Sequence, residues 1–336
     1  MDSHRHHSKG GIPLTPAAGA PSPAPPKRRL WVLLLIAAVL GSRLFSHRAF
    51  AADDTYTVQI GQSTIDVTVQ GELEGMTPAE LKDFITSSAR GVAAYFGRFP
   101  LPHARLMVHV NGGRGIDDGH ASPGPVPTIH IGLGSQTTRA SLQDDWVLVH
   151  EMTHLGFPDV DGPHKWMSEG FATYIEPIER VRNGSLNIQK FWADLVKDLP
   201  KGIPDADDNG FDQTHSWAST YWGGALFWFL TDVQIRAVTA NKKGLEDVMR
   251  AINHEGGDMH ESWSLEMFLR VSDGEIGSPV MSRMYDQWAR RRGTVNLDAI
   301  WKRLGIASAG YPRVTFDDSA PLAGARRAIT GKPKAA

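Results

Sequence analysis

The chain of 336 residues contains no cysteine. Disulfides and thiolate-held metal sites are therefore excluded, while the cellular compartment stays open, because a cysteine-free chain suits any of them. No charge of one sign predominates either. Lys and Arg number 35 against 37 Asp and Glu, a formal net charge of −2, and that balance suggests no nucleic-acid or polyanion partner. The N-terminal apolar run, Leu30–Gly41, has 12 residues, where a comfortable membrane span needs about 20. What the chain does have is an ordinary hydrophobic content of 41%, enough for one or two cores.

Residues 1–26 are rich in Pro, Ala and His and are expected to be disordered, with His4, His6 and His7 in a solvated tail. Lys27-Arg28-Arg29 precedes the apolar run, and Ala49-Phe50-Ala51 supplies an A-x-A cleavage site. Residues 27–51 thus read as an export signal, Sec-like or twin-arginine. A retained membrane anchor is the competing reading, because Arg43 and Arg48 make the interval before Ala51 long and basic. Either way the following domain would lie outside the cytoplasm, periplasmic or secreted.

Residues 52–138 read as a β-rich lobe. Tyr56–Ile60 and Thr64–Val69 alternate as strands around a Gly61-Gln62 turn. Thr77-Pro78-Ala79-Glu80 is a capping box with Pro at the first helical position, starting a helix to about Phe96. Arg105–Val110 and Thr128–Leu133 read as strands, and the glycine-bearing stretch between them, 111–127, as a flexible loop. From Ser141 nearly everything reads as helix, so residues 139–317 form a helical lobe, and 318–336 are expected to be a disordered tail. Strands first and helices afterwards argue an α+β fold, a mixed-sheet lobe followed by a helical one with a cleft between.

The chemistry concentrates in 144–174. His150-Glu151-Met152-Thr153-His154 is an H-E-x-x-H. Histidines four residues apart lie on one helix face and can reach one ion, while Glu151 sits about 100° round the helix, placed for a water rather than for the metal. Trp146, Val147, Leu148, Val149, Met152, Leu155 and Phe157 surround this polar trio. A helix apolar on every side is buried, and polar groups inside it need a partner such as a divalent cation. Catalytic zinc takes three protein ligands and keeps a fourth position for water. Glu169 on the following helix is the expected third ligand, with Asp161 and His164 in the connecting loop as alternatives. Glu176, two turns beyond Glu169, could hold a ligand from outside the coordination sphere. Phe157 and Val160 occupy the positions where a metzincin needs Gly and His, which rules out that reading.

HEMTH followed by WMSEGFATYIE resembles the paired motifs H-E-x-x-H and N-E-G-F-A-x-Y-x-x-E of the gluzincin metallopeptidases, in particular the alanyl and glycyl aminopeptidase families. Tyr221–Leu226 resembles their Y-x-K-G-A segment, and 226–252 is most similar to the glycyl aminopeptidase family. The resemblance spans roughly residues 90–290. The chain departs from it in Gly223, where the family has lysine, and in the short interval of 14 residues between His154 and Glu169. The resemblance implies a thermolysin-like catalytic domain and a zinc peptidase with one ion per chain. It implies that Glu151 moves the proton of the attacking water and that Tyr221 donates to the oxyanion, with His215 a second candidate for that role. It also implies that the strand before the metal helix, Thr128–Leu133, pairs with the substrate backbone at the cleft edge; an interior strand is the alternative.

The expected partner is a peptide or protein, with membrane contact only through the N-terminal segment. The G-x-M-E-N motif by which alanyl-type relatives hold the substrate amine is absent; Asp117 and Asp118 are the residues in that region able to meet an ammonium. A catalytically inactive binding protein and a non-peptidase metallohydrolase are the rival functions. Asp205-Ala206-Asp207-Asp208-Asn209-Gly210 imitates the start of a calcium loop, but Ser216 stands where a bidentate Glu belongs, so it reads as a solvated acidic turn. Trp217, Trp222, Trp228, Trp263, Trp288 and Trp301 read as core or cleft wall.

Overall fold

The computed structural model describes residues 54–331; the export segment and the N-terminal histidines lie outside them. A hairpin opens the described chain: β1 (Asp54–Ile60) and β2 (Ser63–Gln70) pair antiparallel around Gly61, whose φ of 60° suits glycine. Helix α1 (Pro78–Phe96) starts at the Thr77–Glu80 capping box and stops at left-handed Gly97. Its apolar stripe, including Leu81, Ile85, Val92 and Phe96, is buried.

Strand β3 (His103–Asn111) returns parallel to β2, giving a β–α–β crossover. It is followed by β4 (Ile116–Ser122) and β5 (Thr128–Gly134), and the sheet order is β1-β2-β3-β5-β4. Two expectations change here. The stretch expected to be a flexible loop contains a seven-residue strand, 116–122. And β5 is interior, paired parallel to β3 and antiparallel to β4, so it cannot offer a free edge. The polar sequence Asp117-Asp118-Gly119-His120 hid β4, since only sheet pairing on one side and packing on the other make it a strand.

The helical part begins with α2 (Val147–His154) and continues through the two-residue strand β6 (Asp159–Val160) into α3 (Lys165–Asn183) and α4 (Ile188–Asp198). A 3-10 turn at Leu199–Gly202 and a π-helical turn at Ser219–Gly223 precede α5 (Gly224–Val238). Then come α6 (Leu245–His254), β7 (Ser262–Trp263, paired with β6), α7 (Leu265–Ile276), α8 (Val280–Trp288) and α9 (Leu297–Leu304). A small hairpin, β8 (Ile306–Ser308) with β9 (Val314–Phe316), leads to α10 (Ala323–Thr330). The tail expected to be disordered is thus helical through 330. Arg326 is buried and donates to the Leu304 and Gly305 carbonyls at 2.9 and 2.8 Å, anchoring α10 to the end of α9. The fold is α+β, a mixed sheet followed by helices, and a continuous hydrophobic cluster joins the two parts through α1, which packs on both β1 and α3.

The helices around α3 meet at glycines and at buried charge. A Cβ at Gly170 would lie 2.2 Å from the Gly224 Cα, so α3 and α5 touch backbone to backbone. Asp232 and Arg236 of α5 pair at 2.9 Å, and Tyr174 of α3 donates to Asp232 at 3.0 Å. Between α2 and α3, Thr153 and Glu179 are fully buried and 2.8 Å apart, while the Thr153 hydroxyl lies 2.7 Å from the Val149 carbonyl. Burial pushes the Glu179 carboxyl well above the ordinary glutamate range, against the opposing effect of the hydrogen bond from the Thr153 hydroxyl.

A group whose pKa is raised by folding favours the native state at low pH and loses that contribution as pH rises. Glu179→Gln, which keeps a donor without an ionisable proton, is therefore expected to be more stable relative to wild type at pH 8 than at pH 5. The slope is at most about 1.4 kcal/mol per pH unit. Parallel thermal melts at the two pH values check this; an unchanged difference would mean that Glu179 is ionised in the folded chain.

Candidate active site

Helix α2 stacks His150 and His154 on one face, with ring centroids 4.9 Å apart and planes at 81°. Glu169, on the first turns of α3, meets both: its Oε2 lies 3.5 Å from each Nε2. Among the described residues, these three are the group of His, Asp and Glu side chains that converges as a metal site would, with ligand atoms all within 4.8 Å of one another. The spacing is itself informative. Two ligands about 2.1 Å from one tetrahedral ion stand roughly 3.4 Å apart, close to the distance seen here and long for a hydrogen bond. Burial lowers the pKa of His150, which favours the neutral ring a metal requires. Burial alone would raise Glu169, but the two histidines outweigh it and hold the carboxylate ionised. Lys165, one turn earlier on α3, adds a positive charge 3.6 Å from the other carboxylate oxygen, a contact the sequence pattern did not single out.

Glu151 is buried and stands outside this trio, facing β4. Burial raises its pKa; His154 pulls it down, Glu169 pushes it up, and a hydrogen bond from the Ala121 backbone lowers it again. β4 comes this close because residue 119 is glycine: a Cβ there would lie 2.5 Å from Val147 Cγ1 and 3.1 Å from Glu151 Cγ. The result is a cleft of about 920 Å³ between the edge strand and the helices, with His150, Glu151, His154 and Glu169 in its wall. Asp117 and Asp118 also line it, Asp117 held by the Asn111 side chain at 3.1 and 3.2 Å. His260 reaches it from the loop before β7, and no local signal in the sequence marks that residue.

Tyr221 sits in the π-helical turn ahead of α5, a distortion often found at functional positions. Its ring stacks on Trp217, with centroids 5.4 Å apart, and its hydroxyl is within reach of Glu169. Burial, then the charges of Glu169 and Glu151, raise the phenol pKa, so it keeps its proton as a donor must. A Cβ at Gly223 would lie 2.7 Å from the Phe211 ring, so the backbone here passes close beside that side chain.

Three sequence assignments receive different roles. His215 is exposed and lines a neighbouring cavity that shares Lys165 and Tyr221, not the cleft holding the histidine–glutamate trio. Glu176 is buried with its carboxylate on Arg180 at 2.9 Å, rather than on either histidine, because the α3 register turns it toward its own next turn. His164 has both ring nitrogens occupied, Nδ1 by the Asp161 carbonyl at 2.6 Å and Nε2 by the Tyr285 hydroxyl at 2.7 Å. It braces the loop instead of joining Glu169. Asp208 of the acidic turn accepts from Thr214 at 3.2 Å and from the Asp205 backbone at 2.7 Å. Of the tryptophans, Trp228, Trp263, Trp288 and Trp301 are buried, while Trp217 is exposed and Trp222 half-buried.

No protein-family model and no curated protein matches the chain. Solved structures do. The chain is similar to an aminopeptidase N family protein from Idiomarina loihiensis, with 13% identity over 76% of this chain and 49% of that one, at a TM-score of 0.57. An M1 zinc metallopeptidase from Deinococcus radiodurans aligns with 16% identity over 73% of this chain and 52% of its own, at a TM-score of 0.49. The first match shows that the chain shares the fold of that aminopeptidase N family protein. The chain spans about half the length of the solved structures it matches. Among the described residues no helix is long and apolar enough to cross a membrane.

The close seat of β4 on α2 predicts a compensating pair. Gly119→Ala is expected to cost about 1–3 kcal/mol by overpacking against Val147, and Val147→Ala in the same chain to restore most of it. Denaturant unfolding of both single variants and the double variant measures the coupling; additive losses would place the strand elsewhere.

Proposed function

We propose that the chain is a zinc-dependent peptidase of thermolysin-like architecture, with one ion held by His150, His154 and Glu169. The observation that carries this reading is their convergence, with Glu169 Oε2 3.5 Å from the Nε2 of both histidines, Glu151 beside them and the edge strand β4 across the cleft. Bound there, zinc would supply a Lewis acid that polarises a carbonyl and acidifies water.

The remaining work falls to the chain itself. The outer edge of β4, not β5, is available to pair with an extended substrate backbone and to align it across the site. Glu151, buried beside the trio and raised in pKa, takes the proton of the attacking water and passes it to the leaving amine. Tyr221, a protonated phenol beside Glu169, donates to the carbonyl oxygen as negative charge develops on it. Asp117 and Asp118 line the same cleft, and one of them meeting a substrate ammonium would make the enzyme an aminopeptidase. Export or anchoring by residues 27–51 remains part of the proposal, with the substrate then outside the cytoplasm.

Purified chain is expected to carry about one zinc, lost in Glu169→Ala and kept in Glu151→Gln, which loses turnover. Elemental analysis decides this; loss of zinc in His164→Ala but not in Glu169→Ala would replace the third ligand. Tyr221→Phe should lower kcat roughly a hundredfold with KM and zinc content nearly unchanged. Wild-type turnover in that variant would make Tyr221 a packing residue only.

A further inference from the structure

Beside the metal trio, and sharing Trp146, His150 and Tyr221 with its cleft, lies a second cavity of about 490 Å³. That volume is within the range of ligand sites, about 300–1,000 Å³. Its walls come from the start of α2, the middle of α3, α4 and the turn before α5. Trp146, Trp217 and Tyr311 line it and are 51%, 66% and 55% exposed, among the most exposed large hydrophobic side chains of the described residues. Exposed tryptophans in a concave site next to the chemistry call for a ligand, since folding alone would have buried them.

The charges in this cavity argue what that ligand is. Asp194 accepts from Lys190 at 2.7 Å and from the Tyr311 hydroxyl at 3.0 Å. Asp198 is paired with Lys201 at 2.6 Å and Glu176 with Arg180 at 2.9 Å, while Lys197 rides over the Tyr311 ring at 4.8 Å. Those three carboxylates are paired, while Asp144, exposed, also lines the cavity. The rest of the accessible wall is mainly apolar, and its largest pieces are the rings of Trp146, Trp217 and Tyr311.

We infer that this cavity is a specificity pocket that receives an aromatic side chain of the peptide substrate adjacent to the scissile bond. The inference rests on the peptidase reading for its chemistry, though the pocket's binding can be measured without it. An aromatic guest gains edge-to-face or stacked contacts on Trp146 and Trp217 that an aliphatic guest of equal area lacks, and Tyr311 closes the outer side. Because Tyr221 stacks on Trp217, a ring in the pocket also packs beside the phenol that faces the reacting carbonyl.

Two measurements on the full zinc-loaded chain test this. In a mixed peptide digest read by mass spectrometry, Phe, Tyr and Trp should be enriched several-fold at one fixed position relative to the cleaved bond. Trp217→Ala should raise KM for such peptides roughly tenfold, and Tyr311→Ala should do so about threefold while leaving small-residue peptides unaffected. Separately, N-acetylphenylalaninamide should quench the tryptophan fluorescence of Glu151→Gln protein, and neither N-acetyllysinamide nor N-acetylglucosamine should. Cleavage without aromatic enrichment overturns the pocket and leaves the peptidase reading standing. No cleavage with intact phenylalaninamide binding overturns the peptidase reading and keeps the pocket. Preferential quenching by the sugar overturns the pocket's assignment to aromatic side chains.

Discussion

The rest of this structure depends on how closely α3 lies against α2. His150 is buried and His154 and Glu169 are half-buried at the cleft wall, where each polar atom turned away from the cleft must be satisfied by another or by an ion. With Oε2 of Glu169 3.5 Å from both imidazole nitrogens, the helices have no room to drift without breaking that arrangement. The buried Thr153–Glu179 contact fastens the same pair of helices again, farther along α3. The two contacts fix both the separation and the rotation of α2 on α3.

From that pair the other elements take their places by close approach rather than by polar attraction. Gly170 and Gly224 let the α5 backbone rest on α3, which carries the preceding π-helical turn and its Tyr221 toward Glu169. Gly119 lets the sheet edge rest on Val147 and Glu151. In both cases a side chain as small as a methyl would force the packed layers or their side chains to shift. The buried Asp232–Arg236 pair, joined by Tyr174, then locks α5 to α3 from below; removing one partner would leave a buried charge, the more damaging loss.

The cleft that results has two characters. Around the trio it is polar and ionisable, with carboxylates whose pKa values are pushed apart: Glu169 down by its histidines, Glu151 up by burial. That separation suits a ligand and a base. Beyond Tyr221 and Trp146 the wall turns mainly apolar and aromatic, and Asp194 and Glu176 there are paired with Lys190 and Arg180.

The sequence by itself determined what depends on local spacing. The i, i+4 histidines on one helix face, the capping box at Thr77 and the β1–β2 turn at Gly61 are all relations between near neighbours, and each is found where the spacing puts it. Tyr221 was legible only through its resemblance to a family motif, because nothing in its neighbours announces the partner across the cleft. Whatever depends on distant segments meeting was decided by tertiary structure. A polar run became the edge strand β4 because β5 pairs with it and α2 packs on it; His164, an alternative third ligand by sequence, is bonded instead to Tyr285, 121 residues away. Likewise α10 formed because Arg326 found the free carbonyls at the end of α9. A hydrogen-bond partner contributed by another part of the fold leaves no trace in the residues beside it, and those partners settle which of several plausible side chains faces the site.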